Sequence, residues 1–250
     1  MDQQSNFEKH GNHIWEYLNW SPSKQQLEQL KDLQCLLKES NKQVNLTRLI
    51  EGNDFWVSQI LDSLWPFKDN LSKQNKPLEI IDVGTGCGLP GLALAIGIPN
   101  SSITLVDSIY KKTTALNEII RELDLISRVH IRTERIELTG QNRKFRSKFD
   151  FALARAVAQA PTLAEYLIPL LNRSGKAVIY KGKWSKKEHK ELVDSLHPLK
   201  GQIEEIKKFQ LPDNRGLRNV IFLSSAEGCP NQYPRSIGLP AKKPLSQLTD

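Results

Sequence analysis

Short apolar runs recur along residues 79–224, each bounded by polar or turn-forming residues, with helical patterns between most of them. Runs rich in Ile, Val, Leu and Phe predict strands at 79–84, 102–107, 128–133, 149–154, 175–180, 203–210 and 218–224. Apolar residues at helical spacing predict helices near 89–97, 111–123, 160–171 and 186–196. Such alternation makes a mostly parallel sheet covered by helices on both faces. The last two strands follow one another directly through Asp213-Asn214-Arg215-Gly216, so an antiparallel hairpin closes the sheet.

Before this block, Ser21-Pro22 reads as a helix start, and Leu27, Leu30, Leu33 and Leu37 follow on one helical face. A second helical stretch runs from Asp54 to Trp65, and Lys68 to Lys76 reads as a polar linker. After the block, Pro230, Pro234, Pro240 and Pro244 interrupt a segment without periodicity, which predicts an extended arm. The chain therefore divides into a helical extension (1–76), an α/β domain (77–224) and a basic, proline-rich arm (225–250).

The most informative stretch follows the first strand. Ile80, Ile81 and Val83 form a buried-strand run, and Gly84, Gly86, Gly88 and Gly91 then leave the backbone bare before an apolar helix. Strand, glycine turn and helix open a nucleotide-type site, with ligand lying across exposed N–H groups at the strand's carboxyl end. The literal G-x-G-x-x-G spacing also allows a dinucleotide. Asp82, directly before the turn, disfavours a pyrophosphate and suits an ammonium group. Asp107 ends the second strand, about 20 residues past the glycines, where a carboxylate can accept from both hydroxyls of a ribose. Together the two acids favour S-adenosylmethionine (SAM), which carries an amine, a ribose and a sulfonium but no phosphate.

Composition narrows the class further. The 250 residues are 39% hydrophobic and 25% charged, an ordinary globular balance. No apolar run reaches membrane-spanning length, and the polar N-terminus lacks a secretory apolar region, so a cytosolic protein is expected. Cys35, Cys87 and Cys229 lie far apart without a C-x-x-C pair, and the histidines show no ligand spacing, so neither disulfides nor a metal are expected. The net charge of +7 is uneven: residues 1–78, 79–170 and 171–250 carry −1, +1 and +7. That asymmetry favours a polyanionic partner on the side built by the last third. Two basic clusters stand out, Arg143-Lys144-Arg146-Lys148 and Lys181-Gly182-Lys183-Trp184, the second at a strand's carboxyl end.

The stretches IIDVGTGCGLPGLALAI, VDSIYKK, FDFALARAVA and YPRSIGLPAKKPL resemble the RsmG/GidB family of bacterial methyltransferases, over about Val44 to Pro244. The resemblance implies a Rossmann-like class I SAM-dependent methyltransferase fold: a seven-stranded, mostly parallel sheet with an antiparallel closing hairpin and an N-terminal helical extension. It implies methyl transfer from SAM to N7 of one guanine in 16S ribosomal RNA, free or in an assembling small subunit, with no obligate protein partner evident. The resemblance puts Gly84 and Leu89 at the methionine end of the cofactor, and Asp107, Ser108 and Ile109 at the ribose and adenine edge; Asp82 and Gly86, of the same glycine turn, are further candidates to bind it. Ile136 and Glu137 would lie along the adenine, and Arg155 would reach the methyl-transfer end. Lys181, Lys183, Arg218, Arg235, Lys242 and Lys243 are the candidates to meet RNA. Where the family usually has a histidine before the LDSL segment, this chain has Gln59.

Guanine N7 carries a free lone pair at neutral pH, so in-line displacement on the sulfonium methyl needs no general base, and none is expected among these residues. Two other classes remain open from sequence: a non-catalytic RNA-binding assembly factor and an NAD(P)-linked oxidoreductase.

Overall fold

The computed structural model describes residues 13–72, 76–225 and 227–248, and within them seven strands form one sheet. These are β1 (Leu78–Val83), β2 (Ser101–Asp107), β3 (Val129–Thr133), β4 (Phe149–Arg155), β5 (Leu171–Lys181), β6 (Gln202–Gln210) and β7 (Leu217–Ser224). They lie in the order β3-β2-β1-β4-β5-β7-β6. Neighbours from β3 to β5 pair in parallel, and β7 runs antiparallel to both β5 and β6. All seven expected strands are present; β5 alone starts well before its expected residue 175, at Leu171.

The hairpin folds back, so its second strand takes the inner place. Val220, Ile221, Phe222 and Leu223 of β7 are buried, whereas β6 carries Glu204, Glu205, Lys207 and Lys208 along the sheet's edge. Apolar surface gains most from the central position, and charges on the outer strand discourage further pairing. Residues adjacent along a strand face opposite sides: Ile80 and Val178 join one buried cluster, Ile81 and Ile179 the other.

The N-terminal helices pack into the first cluster and share it with β1. They begin with α1 (Ile14–Leu18) and α2 (Lys24–Asn41). Ser23, not Ser21, caps α2: its Oγ accepts from Gln26 N at 3.2 Å, and Gln26 Oε1 accepts from Ser23 N at 2.9 Å. Gln26 Nε2 also donates to Ile96 O at 2.9 Å, satisfying a carbonyl of α6 (Gly91–Gly97). Between them, α3 (Gly52–Phe55) runs into a π-helical stretch, Trp56–Leu61, and then α4 (Asp62–Leu64). Part of the expected linker is helical as well, forming α5 (Lys68–Ser72); its positions 73–75 lie outside the described residues.

The remaining helices are α7 (Tyr110–Glu122), α8 (Ile136–Gln141), α9 (Ala160–Leu167), α10 (Lys186–Leu199) and α11 (Leu239–Lys242). The last of these overturns the reading of the C-terminal segment as an extended arm. Tyr233, Pro240 and Leu245 are buried, and a 3₁₀ turn (Leu245–Gln247) follows α11. Arg235 Nη2 lies 2.6 Å from Glu165 Oε2 of α9, a carboxylate that is 1% exposed. Arg146 donates to the carbonyls of Cys229 (2.6 Å), Pro230 (2.9 Å) and Tyr233. The first basic cluster thus supplies a clamp for the tail. Periodicity could not reveal this because the segment is held by individual polar contacts and not by a repeating apolar face.

Candidate functional site

A cavity of about 1050 Å³ opens at the carboxyl ends of β1, β2 and β4. From β1 the chain runs outward through β2 to β3 and then crosses back to β4 on the other side of β1, and such a reversal of strand order leaves a crevice. The turn after β1 forms one wall. Gly84 and Gly86 sit at φ +66° and +59°, a region side chains disfavour. A Cβ on Gly84 would come within 2.6 Å of Val157 Cγ2, whereas one on Gly86 would meet nothing closer than 3.8 Å. The backbone at Gly86 is therefore bare and open to a ligand.

Asp82 does not line this cavity, contrary to its expected place at the cofactor's amine. It is 1% exposed and braces the turn: its Oδ2 accepts from Thr85 Oγ1 at 2.7 Å and from Gly91 N at 3.0 Å. Burial raises its pKa to about 6, against the opposing pull of those two donors and of Arg155. Cys87 does line the cavity, and burial raises its thiol pKa, which keeps it a protonated filler and not a nucleophile.

Asp107 ends β2 on the cavity wall beside Ser108 and Ile109. Its Oδ2 accepts from Gly86 N at 3.0 Å and its Oδ1 from Ile109 N at 2.9 Å. One carboxylate thereby couples the glycine turn to the loop after β2. Leu89 and Ile136 line the wall as well. Glu137 is displaced from its expected role along the adenine. It is 1% exposed and turns away to accept from Gly238 N at 2.9 Å and Tyr166 Oη at 3.3 Å, tying down the tail. Its neighbour Glu134 reaches the cavity instead. In a helix as short as α8, the face each side chain takes depends on the entry angle, which spacing does not encode.

Arg155 stands at the tip of β4, followed by Ala156 at φ +59°, a conformation that L residues rarely adopt. Its Nη1 lies 3.1 Å from Asp62 Oδ2, and its Nη2 donates to Gln59 Oε1. Gln59 Nε2 donates in turn to Thr47 Oγ1 at 2.9 Å. The glutamine that departs from the family's histidine is thus 4% exposed and bridges the N-terminal segment to Arg155. Asp62 Oδ1 accepts from Arg218 Nε at 3.1 Å, so one buried carboxylate holds two arginines. Asp62 and Thr47 are not among the candidate site residues that the sequence singles out. The links from Asp62 and Gln59 to Arg155 span more than 90 residues and leave no local pattern.

Lys181, Lys183 and Arg218 line the cavity. Lys181 Nζ is paired with Glu188 at 2.7 Å, so its charge is largely matched. Arg235 is a tail anchor and not part of the cavity, a correction to its expected place against RNA. Lys242 and Lys243 are exposed on the docked tail, where Ala241 completes the cavity wall. Among the described residues no group of three or more His, Cys, Asp or Glu could hold a metal, and no helix is long and apolar enough to cross a membrane.

The sheet order, the inserted antiparallel strand and the cavity at the glycine turn define a Rossmann-like class I SAM-dependent methyltransferase fold. The N-terminal domain of human METTL16 in complex with SAH superposes with a TM-score of 0.51 at 12% identity, over 67% of this chain and 70% of that one. A family profile described as rRNA small subunit methyltransferase G (GidB) matches residues 26–217, and the chain belongs to that family. A relative from Prochlorococcus marinus, named ribosomal RNA small subunit methyltransferase G, is 59% identical over all of this chain and 98% of its own. One of the same name from a Synechococcus species is 47% identical with the same coverage.

Proposed function

We propose that this protein transfers a methyl group from SAM to N7 of a guanine in 16S ribosomal RNA, as free RNA or within an assembling small subunit. Family membership supports SAM-dependent methylation of ribosomal RNA. The observation that carries the site assignment is a single cavity joining Asp107 and the open Gly86 backbone to Arg155 and Arg218. The residues present fit SAM: a bare, positive-φ turn for the methionine end and a rim carboxylate for the ribose hydroxyls. SAM supplies a sulfonium methyl, which the N7 lone pair takes by in-line displacement as the sulfur leaves as a neutral thioether.

The protein's own part is positioning. Asp107 and Ser108 hold the ribose edge, Ile109 and Ile136 cover the adenine, and Leu89 closes the methionine side. Arg155 is held by Asp62 and Gln59 and orients groups at the transfer end. Arg218 and Lys183 offer cations to the RNA backbone, and the exposed Lys242 and Lys243 extend that surface. Tyr180, whose hydroxyl donates to Ser63 O at 2.9 Å, has its pKa raised well above the usual tyrosine value by burial and so supplies no base.

The test is transfer of labelled methyl from SAM to small-subunit RNA, naked and in assembling particles, followed by mapping of the modified base. Label on a guanine N7 supports the proposal. No transfer to either substrate, or label on a ring or exocyclic nitrogen that must first lose a proton, would overturn it.

A further inference from the structure

A second recess, of about 570 Å³, adjoins the main cavity and shares Gly182, Lys183 and Arg218 with it. Its remaining wall includes Trp184, Lys208, Leu217 and Asn219. None of its lining residues is acidic, while three cationic side chains converge on it. The sheet order brings them together. Asn219 of β7 pairs with Lys181 of β5 on one side and Lys208 of β6 on the other. The Asn219 side chain, 3% exposed, donates to Gly182 O at 2.7 Å and fixes the loop that carries Lys183 and Trp184.

Two of these cations, Lys183 and Lys208, differ from Lys181 and Arg235. Lys181 is matched by Glu188 and Arg235 by Glu165. The side chains of Lys183 and Lys208 have neither ion pair nor hydrogen bond among the described residues, and both are exposed. Arg218 is anchored through Nε to Asp62 and lines both spaces. Unmatched cations beside an aromatic and an aliphatic side chain suit a phosphodiester with its attached ribose or base.

We infer that this recess binds the phosphodiester and sugar of the nucleotide adjoining the target guanine, with Lys183, Lys208 and Arg218 as the phosphate contacts. This rests on the proposed RNA substrate and adds Lys208, on an edge strand, to the binding surface. The RNA strand then leaves the main cavity past Gly182 and along the β6–β7 hairpin.

The experiment measures binding of a guanine-containing single-stranded oligoribonucleotide by fluorescence anisotropy across salt concentrations. Lys183→Ala and Lys208→Ala should each weaken binding roughly three- to tenfold at low salt and lower the log–log salt slope by about 0.7. The double variant should lose about 1.4. SAM affinity by calorimetry should be unchanged, and Lys190→Ala, on the solvated face of α10, should keep the wild-type slope. A double variant with the wild-type slope overturns the recess assignment, as does a Lys190→Ala loss of equal size. Methylation by the wild-type protein is read separately: its failure would fell the proposed function, whereas a slope loss confined to the recess lysines would still support the binding site.

Discussion

Asp62 and Arg155, 93 residues apart in sequence, form an ion pair of 3.1 Å in the lining of the cavity, with side-chain exposures of 7% and 14%. The same carboxylate holds Arg218, so it fixes two arginines of the cavity lining. Removing one partner of a buried pair leaves uncompensated charge and costs about 3–5 kcal/mol. Asp62→Ala should therefore lower stability by about that amount, measured by urea unfolding. Gln59→Ala should affect stability less and act chiefly on the rate, since it leaves the ion pair intact.

Arg155→Ala should slow single-turnover methylation without altering the shape of its pH profile between about pH 6 and 9, because a guanidinium stays charged throughout. An ascending limb of tenfold per pH unit, abolished by replacing one acid or histidine, would instead establish a general base.

Asp107→Ala should weaken SAM binding roughly 10- to 1000-fold by calorimetry, as charge-assisted hydrogen bonds are each worth about 1.5–3 kcal/mol. Because Asp107 also accepts from Gly86 N and Ile109 N, part of that loss should appear as faster amide exchange at Gly86. Normal SAM affinity in this variant would refute the ribose assignment.

Asp82 makes stability fall as pH rises. Its folded-state pKa, about 6, lies above the ordinary value of 3.8, so the folded protein holds the proton more tightly than the unfolded chain. Both states are protonated below about pH 4, and stability is then lost through the window up to about pH 6. The shift corresponds to about 3 kcal/mol. Asp82→Asn should remove this component, seen as the difference between the two proteins' unfolding free energies across that window. A difference that does not change with pH would contradict it.

Arg235→Ala should destabilise the protein by about 3–5 kcal/mol, because Glu165 would be left buried without its partner. Deleting residues 229–250 should do the same and also reduce SAM affinity, since Ala241 closes part of the cavity. A truncated protein with unchanged melting temperature and SAM affinity would show the tail to be dispensable for the site.

Local pattern carried much of this molecule. The seven strands, the glycine turn and Asp107 at a strand tip each depend on residues within a few positions of one another, where periodicity and backbone conformation decide. The sequence by itself therefore determined the α/β architecture, the closing hairpin and the glycine turn that walls the cavity. Only the tertiary structure decided which charges point where. Asp82 and Glu137 are chemically suited to a ligand but are buried as braces, and Arg235 is taken up by Glu165. Asp62 and Gln59 reach the candidate site from the N-terminal helical segment, and Lys208 reaches the adjoining recess because the β6–β7 hairpin pairs beside β5 at the sheet's edge. Such contacts join residues far apart in the chain, and their strength depends on burial and geometry, which no local spacing records.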